Sequence, residues 1–215
     1  MKTIIISGGS LDHKFATVFL SKERQDCLLA ADKGMEFCYE QKISPDYIMG
    51  DFDSADPKIV SHYNSSPEVE LIRFQPEKDD TDMELAVRKA ITLGSDKIYV
   101  LGALGGRMDH CIANIHLLKL AADAGVEMHL VDPQNDICLV QDRKIIKKEE
   151  QYGKYVSFLP FTDQVTGITL TGFKYPLAEY TMSRGTSIGV SNEIQEEMAE
   201  VTVKTGILIM IQSKD

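Results

Sequence analysis

The sequence predicts an α/β fold: an N-terminal parallel-sheet, three-layer α/β domain followed by a C-terminal antiparallel β-sandwich. Three observations predict it. From residue 1 to about residue 132, short apolar runs alternate with segments of helical periodicity, the pattern of a parallel sheet covered on both faces. After Asp132-Pro133-Gln134-Asn135 the helical segments stop and short β-like stretches separated by turn residues take over. Polar motifs rich in glycine and aspartate directly follow the apolar runs of the first part, and open α/β sheets bind ligands at that end of their strands.

Taken in order, residues 3–6 (TIII) read as the first strand and Ser7-Gly8-Gly9-Ser10 as a turn. A helix follows through Phe15, Val18 and Phe19. Further strands are expected at 28–31, 47–49, 69–74, 97–101 and 128–131. Helices fit between them, most clearly at 82–93 and 110–124, where apolar residues recur at helical spacing on one face. Beyond the break, strands are expected at 137–140, 155–159, 167–170, 198–204 and 207–211, with no helix. The domain boundary is placed at 133/134.

The chain has 215 residues, 43% of them hydrophobic, enough to build the cores of one large or two small domains. Its net charge of −10 and the absence of a basic stripe exclude a nucleic-acid-binding surface. An anionic substrate would need local help from metal ions, arginine or helix N-termini. Cys27, Cys38, Cys111 and Cys138 are scattered without a CxxC pair, so buried reduced thiols are expected rather than a zinc ribbon or disulfide framework. No signal peptide or membrane-spanning run is visible, and a soluble, cytoplasmic protein is the expectation.

Four motifs carry chemistry. GDFDS (50–54) places Asp51 and Asp53 two positions apart after a strand. The pair can face one cation if the backbone bends, which Gly50 permits, and oxygen-only ligands suit Mg²⁺. A plainer reading has Asp53 or Ser54 capping a helix that starts at Asp56-Pro57. EKDDTD (77–82) contains a capping box, Thr81 with Glu84, but the box does not explain why Asp79, Asp80 and Asp82 crowd the same helix end. A shared cation or Lys78 would relieve their repulsion, and Asp79 and Asp82 are the functional candidates, with Asp80 solvated. GALGGRMDH (102–110) is a glycine-rich loop between a strand and a helix, able to cradle phosphate through backbone N–H groups. Arg107 is suited to bidentate phosphate contact. Asp109 reads as an N-cap, and Asn114 lies one helical turn beyond His110. GTSIGVSNE (185–193) reads as a turn or as a loop that hydrogen-bonds a polar heterocycle.

With GDFDS, KDDTD, LGALGGRMDH and GVSNE in this order over essentially the whole chain, the sequence resembles the bacterial thiamine pyrophosphokinase family. The resemblance implies transfer of a pyrophosphoryl group from ATP to thiamine, giving thiamine diphosphate and AMP. It implies a nucleotide-binding catalytic domain over 1–133 and a thiamine-binding β-sandwich over 134–215. Asp51, Asp53, Asp79 and Asp82 would surround Mg²⁺ and the ATP phosphates. Lys78, Thr81 and Arg107 would contact those phosphates, and Asp32, Asp109 and His110 would complete the nucleotide site. Ser191 and Asn192 would lie against thiamine, in a homodimer whose thiamine site is formed between subunits. Some members stack thiamine on a tryptophan; this chain has none, so either Phe173, Tyr175 or Tyr180 substitutes or the ring binds differently. Asp79 is the expected acceptor of the hydroxyl proton. The alternatives are a DxD phosphatase, with the first aspartate as nucleophile, and a nucleotide- or thiamine-binding regulator on the same fold.

Overall fold

The computed structural model describes residues 1–53, 55–75 and 79–215. The chain divides into two compact units, Met1–Pro133 and Gln134–Asp215.

The first unit alternates strand and helix: β1 Lys2–Ile6, α1 His13–Lys22, β2 Cys27–Ala31, α2 Gly34–Glu40, β3 Tyr47–Gly50, α3 Pro57–Asn64, β4 Glu70–Arg73, α4 Asp82–Thr92, β5 Lys97–Leu101, α5 Met108–Asp123 and β6 Glu127–Val131. All pairings within it are parallel, in the order β4-β3-β2-β1-β5-β6. With the right-handed crossovers that parallel strands favour, α1, α2 and α3 fall on one face and α4 and α5 on the other, and α2 packs with α3 and α4 with α5. The central strands are therefore buried on both sides: Ile4, Ile5, Ile6, Leu29, Ala30, Ile98, Val100 and Leu101 are fully buried. This is why they read as continuous apolar runs rather than alternating ones.

Helix starts follow local chemistry. Thr81 Oγ1 accepts from the Glu84 N–H at 3.2 Å, as the T-x-x-E spacing predicts. Two expected caps are corrected. The α3 cap is Asp56, whose carboxylate accepts from Lys58 N–H at 2.9 Å with Pro57 at the first helical position, so Asp53 is not the cap. Helix α5 begins at Met108, earlier than expected, which puts Asp109 inside the first turn and Arg107 at the cap position.

The second unit comprises β7 Asn135–Val140, β8 Arg143–Lys147, a 3₁₀ turn at Lys148–Glu150, β9 Tyr155–Pro160, β10 Gln164–Thr171, β11 Leu177–Ser183, β12 Asn192–Glu193, β13 Met198–Thr202 and β14 Leu208–Ser213. They form two antiparallel layers, β12-β9-β14-β7 and β11-β10-β13-β8. Between the layers lies one core, with Val156, Phe158, Leu208 and Met210 from one and Val165, Ile168, Leu170 and Val201 from the other. Strand β14 alternates strictly, with Leu208, Met210 and Gln212 buried. Strands β8 and β11 escaped the sequence reading. RKIIK is three-fifths cationic, and β11 is an edge strand whose register against β10 is irregular, so neither shows clean alternation.

Candidate active site

The polar motifs of the first unit meet at the carboxyl ends of β1, β2, β3 and β5 in a cleft of about 610 Å³. It is lined by four carboxylates, Asp32, Asp51, Asp80 and Asp82, together with residues 7–10 and most of the 102–107 loop, with His110 and Asn114.

Asp32 follows β2 in the left-handed region at φ 51°, and its N–H donates to the Met49 carbonyl at 2.8 Å, tying it to the end of β3. Burial raises its carboxyl pKa above the ordinary value, and the carboxylates of Asp82 and Asp51 raise it further. The three acids thus sit within electrostatic reach of one another although they are up to 50 positions apart in sequence. GDFDS bends at an unexpected place. The left-handed residue is Phe52, at φ 63°, not Gly50. Phe52 is buried with the Arg73 guanidinium 5.3 Å from its ring centre. Asp51 Oδ1 accepts from the Asp53 N–H at 3.0 Å, which turns Asp51 into the cleft and leaves Asp53 exposed outside its lining. At the start of α4, Asp80 and Asp82 line the cleft while Asp79 is exposed outside it. The expected order of Asp79 and Asp80 is therefore exchanged. Lys78 and Ser54 lie outside the described residues.

In the glycine-rich loop, Gly102, Gly105 and Gly106 all have positive φ, a course that residues with a Cβ resist. Asn114 is buried and donates from Nδ2 to the Ala103 carbonyl at 2.8 Å, fastening the loop to α5. Arg107 lines the cleft and forks onto Asp109, Nε to Oδ1 at 3.1 Å and Nη2 to Oδ2 at 2.5 Å. That guanidinium, with the His110 N–H at 3.0 Å, holds the Asp109 carboxyl down at about 2. Asp109 is exposed and outside the lining, and acts on the cleft through Arg107.

The acidic donors that line the cleft offer oxygen only. Among the described residues no group of three or more His, Cys, Asp or Glu side chains is arranged to hold a metal ion unaided. Such an incomplete acidic set fits Mg²⁺, which keeps waters and takes substrate phosphate oxygens in addition to one or two carboxylates.

In the second unit, Ser191 has φ 58° and donates its N–H to Ser157 Oγ at 3.0 Å. Asn192 is buried. Its Oδ1 accepts from the Tyr175 and Glu193 N–H groups, both at 2.9 Å, and its Nδ2 donates to the Tyr175 carbonyl at 2.8 Å. Asn192 therefore positions the segment that carries Tyr175. Asn192→Ala orphans these backbone groups and is expected to lower stability by ~1–3 kcal/mol in urea unfolding. Of the three aromatic candidates, Phe173 is buried and Tyr180 packs on the sandwich core, whereas Tyr175 is 58% exposed. Among the described residues no helix is long and apolar enough to cross a membrane.

Comparison with known proteins identifies the family. The family model described as "Thiamin pyrophosphokinase, catalytic domain" matches residues 19–130, and that described as "Thiamin pyrophosphokinase, vitamin B1 binding domain" matches 143–208. The thiamine pyrophosphokinase of Bacillus subtilis (strain 168) is 32% identical over all of both chains. Thiamine pyrophosphokinase 1 of Oryza sativa subsp. japonica is 29% identical over 81% of this chain and 68% of its own length. Among solved structures, the Bacillus subtilis thiamine pyrophosphokinase superposes with a TM-score of 0.88 at 30% identity, covering 100% of both chains. The Geobacillus thermodenitrificans thiamin pyrophosphokinase does so with 0.85 at 32% identity, covering 100% of this chain and 98% of its own. These matches displace the phosphatase and regulator alternatives: the chain is an enzyme of the thiamine pyrophosphokinase family.

Proposed function

We propose that this enzyme transfers the pyrophosphoryl group of ATP to the hydroxyl of thiamine with Mg²⁺, releasing AMP, and that it works in the cytoplasm as a homodimer with thiamine bound between subunits. The observation that carries the cleft's part in this reading is the meeting of Asp32, Asp51 and Asp82 with donor-rich loops in one cleft. A chain of phosphates with a divalent cation is complementary to both the carboxylates and the donors.

The thiamine oxygen attacks the β-phosphorus, and the bond from that phosphorus to the oxygen bridging the α-phosphate breaks, leaving its electron pair on AMP. Bound Mg²⁺ supplies charge neutralisation at the phosphate oxygens. The protein's share is positioning and electrostatics. Asp51, Asp80 and Asp82 form the acidic lining, with Asp53 and Asp79 flanking it. Thr81 and Arg107, which line the cleft, serve the phosphates, and the same role is assigned to Lys78. Arg107 is held by its two bonds to Asp109, and His110 borders the nucleotide. Asp32, the cleft carboxylate whose pKa is raised, is better placed than Asp79 to receive the hydroxyl proton. Ser191, with Tyr175 held in place by Asn192, serves thiamine.

Incubation with ATP, Mg²⁺ and thiamine should give AMP and thiamine diphosphate in equal amounts, and chelation by EDTA should abolish both. ADP as the product would overturn the proposal. Asp32→Asn should separate stability from activity. Asparagine tolerates the left-handed backbone and removes a carboxylate crowded by two others. In metal-free buffer at neutral pH its melting temperature is expected to rise by roughly 2–4 °C, with turnover reduced. An unchanged or lower melting temperature would contradict the crowding.

A further inference from the structure

The sheet order places a topological switch point between β1 and β5. From these neighbours the chain order runs outward in opposite directions, and open α/β sheets bind ligands beyond the carboxyl ends of the strands at such a point. The 102–107 loop follows β5 there, and residues 7–10, SGGS, follow β1. The sequence reading treated SGGS as a turn, and it precedes the catalytic-domain match beginning at residue 19.

Three observations give this short loop a task. Ser7, Gly8, Gly9 and Ser10 all line the cleft. The Ser7 N–H donates to the Leu101 carbonyl at 2.8 Å, anchoring the loop to β5; beyond that anchor, the N–H groups of Gly8, Gly9 and Ser10 and the hydroxyls of Ser7 and Ser10 bond to no described residue. The glycines are required by contact. A Cβ on Gly9 would stand 2.3 Å from the Gly102 carbonyl oxygen, and one on Gly8 would stand 2.8 Å from both an Asp32 carboxylate oxygen and the Lys33 nitrogen. The loop is wedged between the β2 and β5 loops while presenting free donors to the cleft. Successive unpaired N–H groups with hydroxyls beside them match the oxygens of a phosphate chain.

We propose that residues 7–10 form a phosphate-binding loop that receives the triphosphate of the nucleotide, packed beside the 102–107 loop at the switch point. The proposal rests on ATP being the donor, as set out above, and deepens that reading by naming an element outside the motifs that carry it.

Ser10 is exposed, so its variants leave the core intact. ATP, inorganic tripolyphosphate and adenosine would each be titrated calorimetrically with Mg²⁺ into the full chain. Ser10→Asp is expected to weaken ATP and tripolyphosphate about tenfold or more through like-charge repulsion, and adenosine less than about twofold. Ser10→Ala should weaken the two phosphate ligands by about tenfold, the loss of one bond to a charged group. Ser10→Lys, a fold control, should not weaken them. Equal loss of adenosine would assign the loop to the nucleoside instead. Unchanged phosphate affinity in both Ser10→Asp and Ser10→Ala, or no tripolyphosphate binding by the wild-type chain, would overturn the proposal. If the wild type makes no AMP but Ser10→Asp still selectively loses tripolyphosphate, the reaction fails and the loop assignment stands.

Discussion

Asp82→Asn is expected to slow AMP formation by about a hundredfold or more, the scale on which one preorganised electrostatic group acts. Asp82 opens α4, but the helix is capped by Thr81, whose hydroxyl bond to the Glu84 N–H is untouched. The substitution keeps the side chain's shape and gives up only an acid–dipole attraction of about 0.3–1 kcal/mol. The fold should therefore survive, and circular dichroism with thermal melting would check this beside the rate.

A pH signature accompanies the loss. The Asp32 carboxyl is raised in the folded state, so the folded chain binds more protons than the unfolded one between the ordinary carboxylate pKa and the raised value. Stability falls as pH climbs through that window, and the deficit persists above it. Removing Asp82 takes away the larger of the two charge repulsions on Asp32, so the window should narrow in the variant, read as melting temperature against pH. Bound Mg²⁺ should act in the same direction in the wild type. Turnover within a few-fold of wild type at saturating Mg²⁺ would remove Asp82 from the site.

Phe158→Ala should carry the largest stability cost, ~3–5 kcal/mol, from lost burial and the cavity left behind. Phe158 is fully buried in β9 and meets Phe173 edge-on, with ring centres 5.5 Å apart at 87°. That cost is a large share of the roughly 5–15 kcal/mol that holds a domain together. The same strand supports the GVSNE segment: Phe158 N–H donates to the Gly189 carbonyl at 2.8 Å, and Asn192 pairs with Val156. Loosening β9 should therefore raise the KM for thiamine more than that for ATP. Phe158→Leu, which refills most of the volume, should recover most of the stability. A cost below about 1 kcal/mol for Phe158→Ala would mean that the sandwich core is packed differently.

Much of this architecture was legible in the residues. Continuous apolar runs such as TIII and LLAA marked strands buried on both faces, and T-x-x-E marked the start of α4 to the residue. These signals are local, extending over one turn of helix or one strand, and a linear pattern carries them intact. RKIIK and LAEYTMS hid their strands because an edge position and an exposed face allow charge where a buried strand would not.

By itself, the sequence determined the strand–helix alternation, the change of pattern after 133, the glycine loops and the clustering of aspartates at strand ends. Only the tertiary structure decided which aspartates face the cleft. It turned Asp51 inward through a bend at Phe52, chose Asp80 over Asp79, drew Asp32 beside Asp51 and Asp82, and assigned the Asn192 amide to the Tyr175 backbone. The reason is physical. Periodicity records how each residue meets its own helix or strand, whereas the direction of a loop side chain depends on contacts with loops dozens of residues away, which come together only when the sheet assembles.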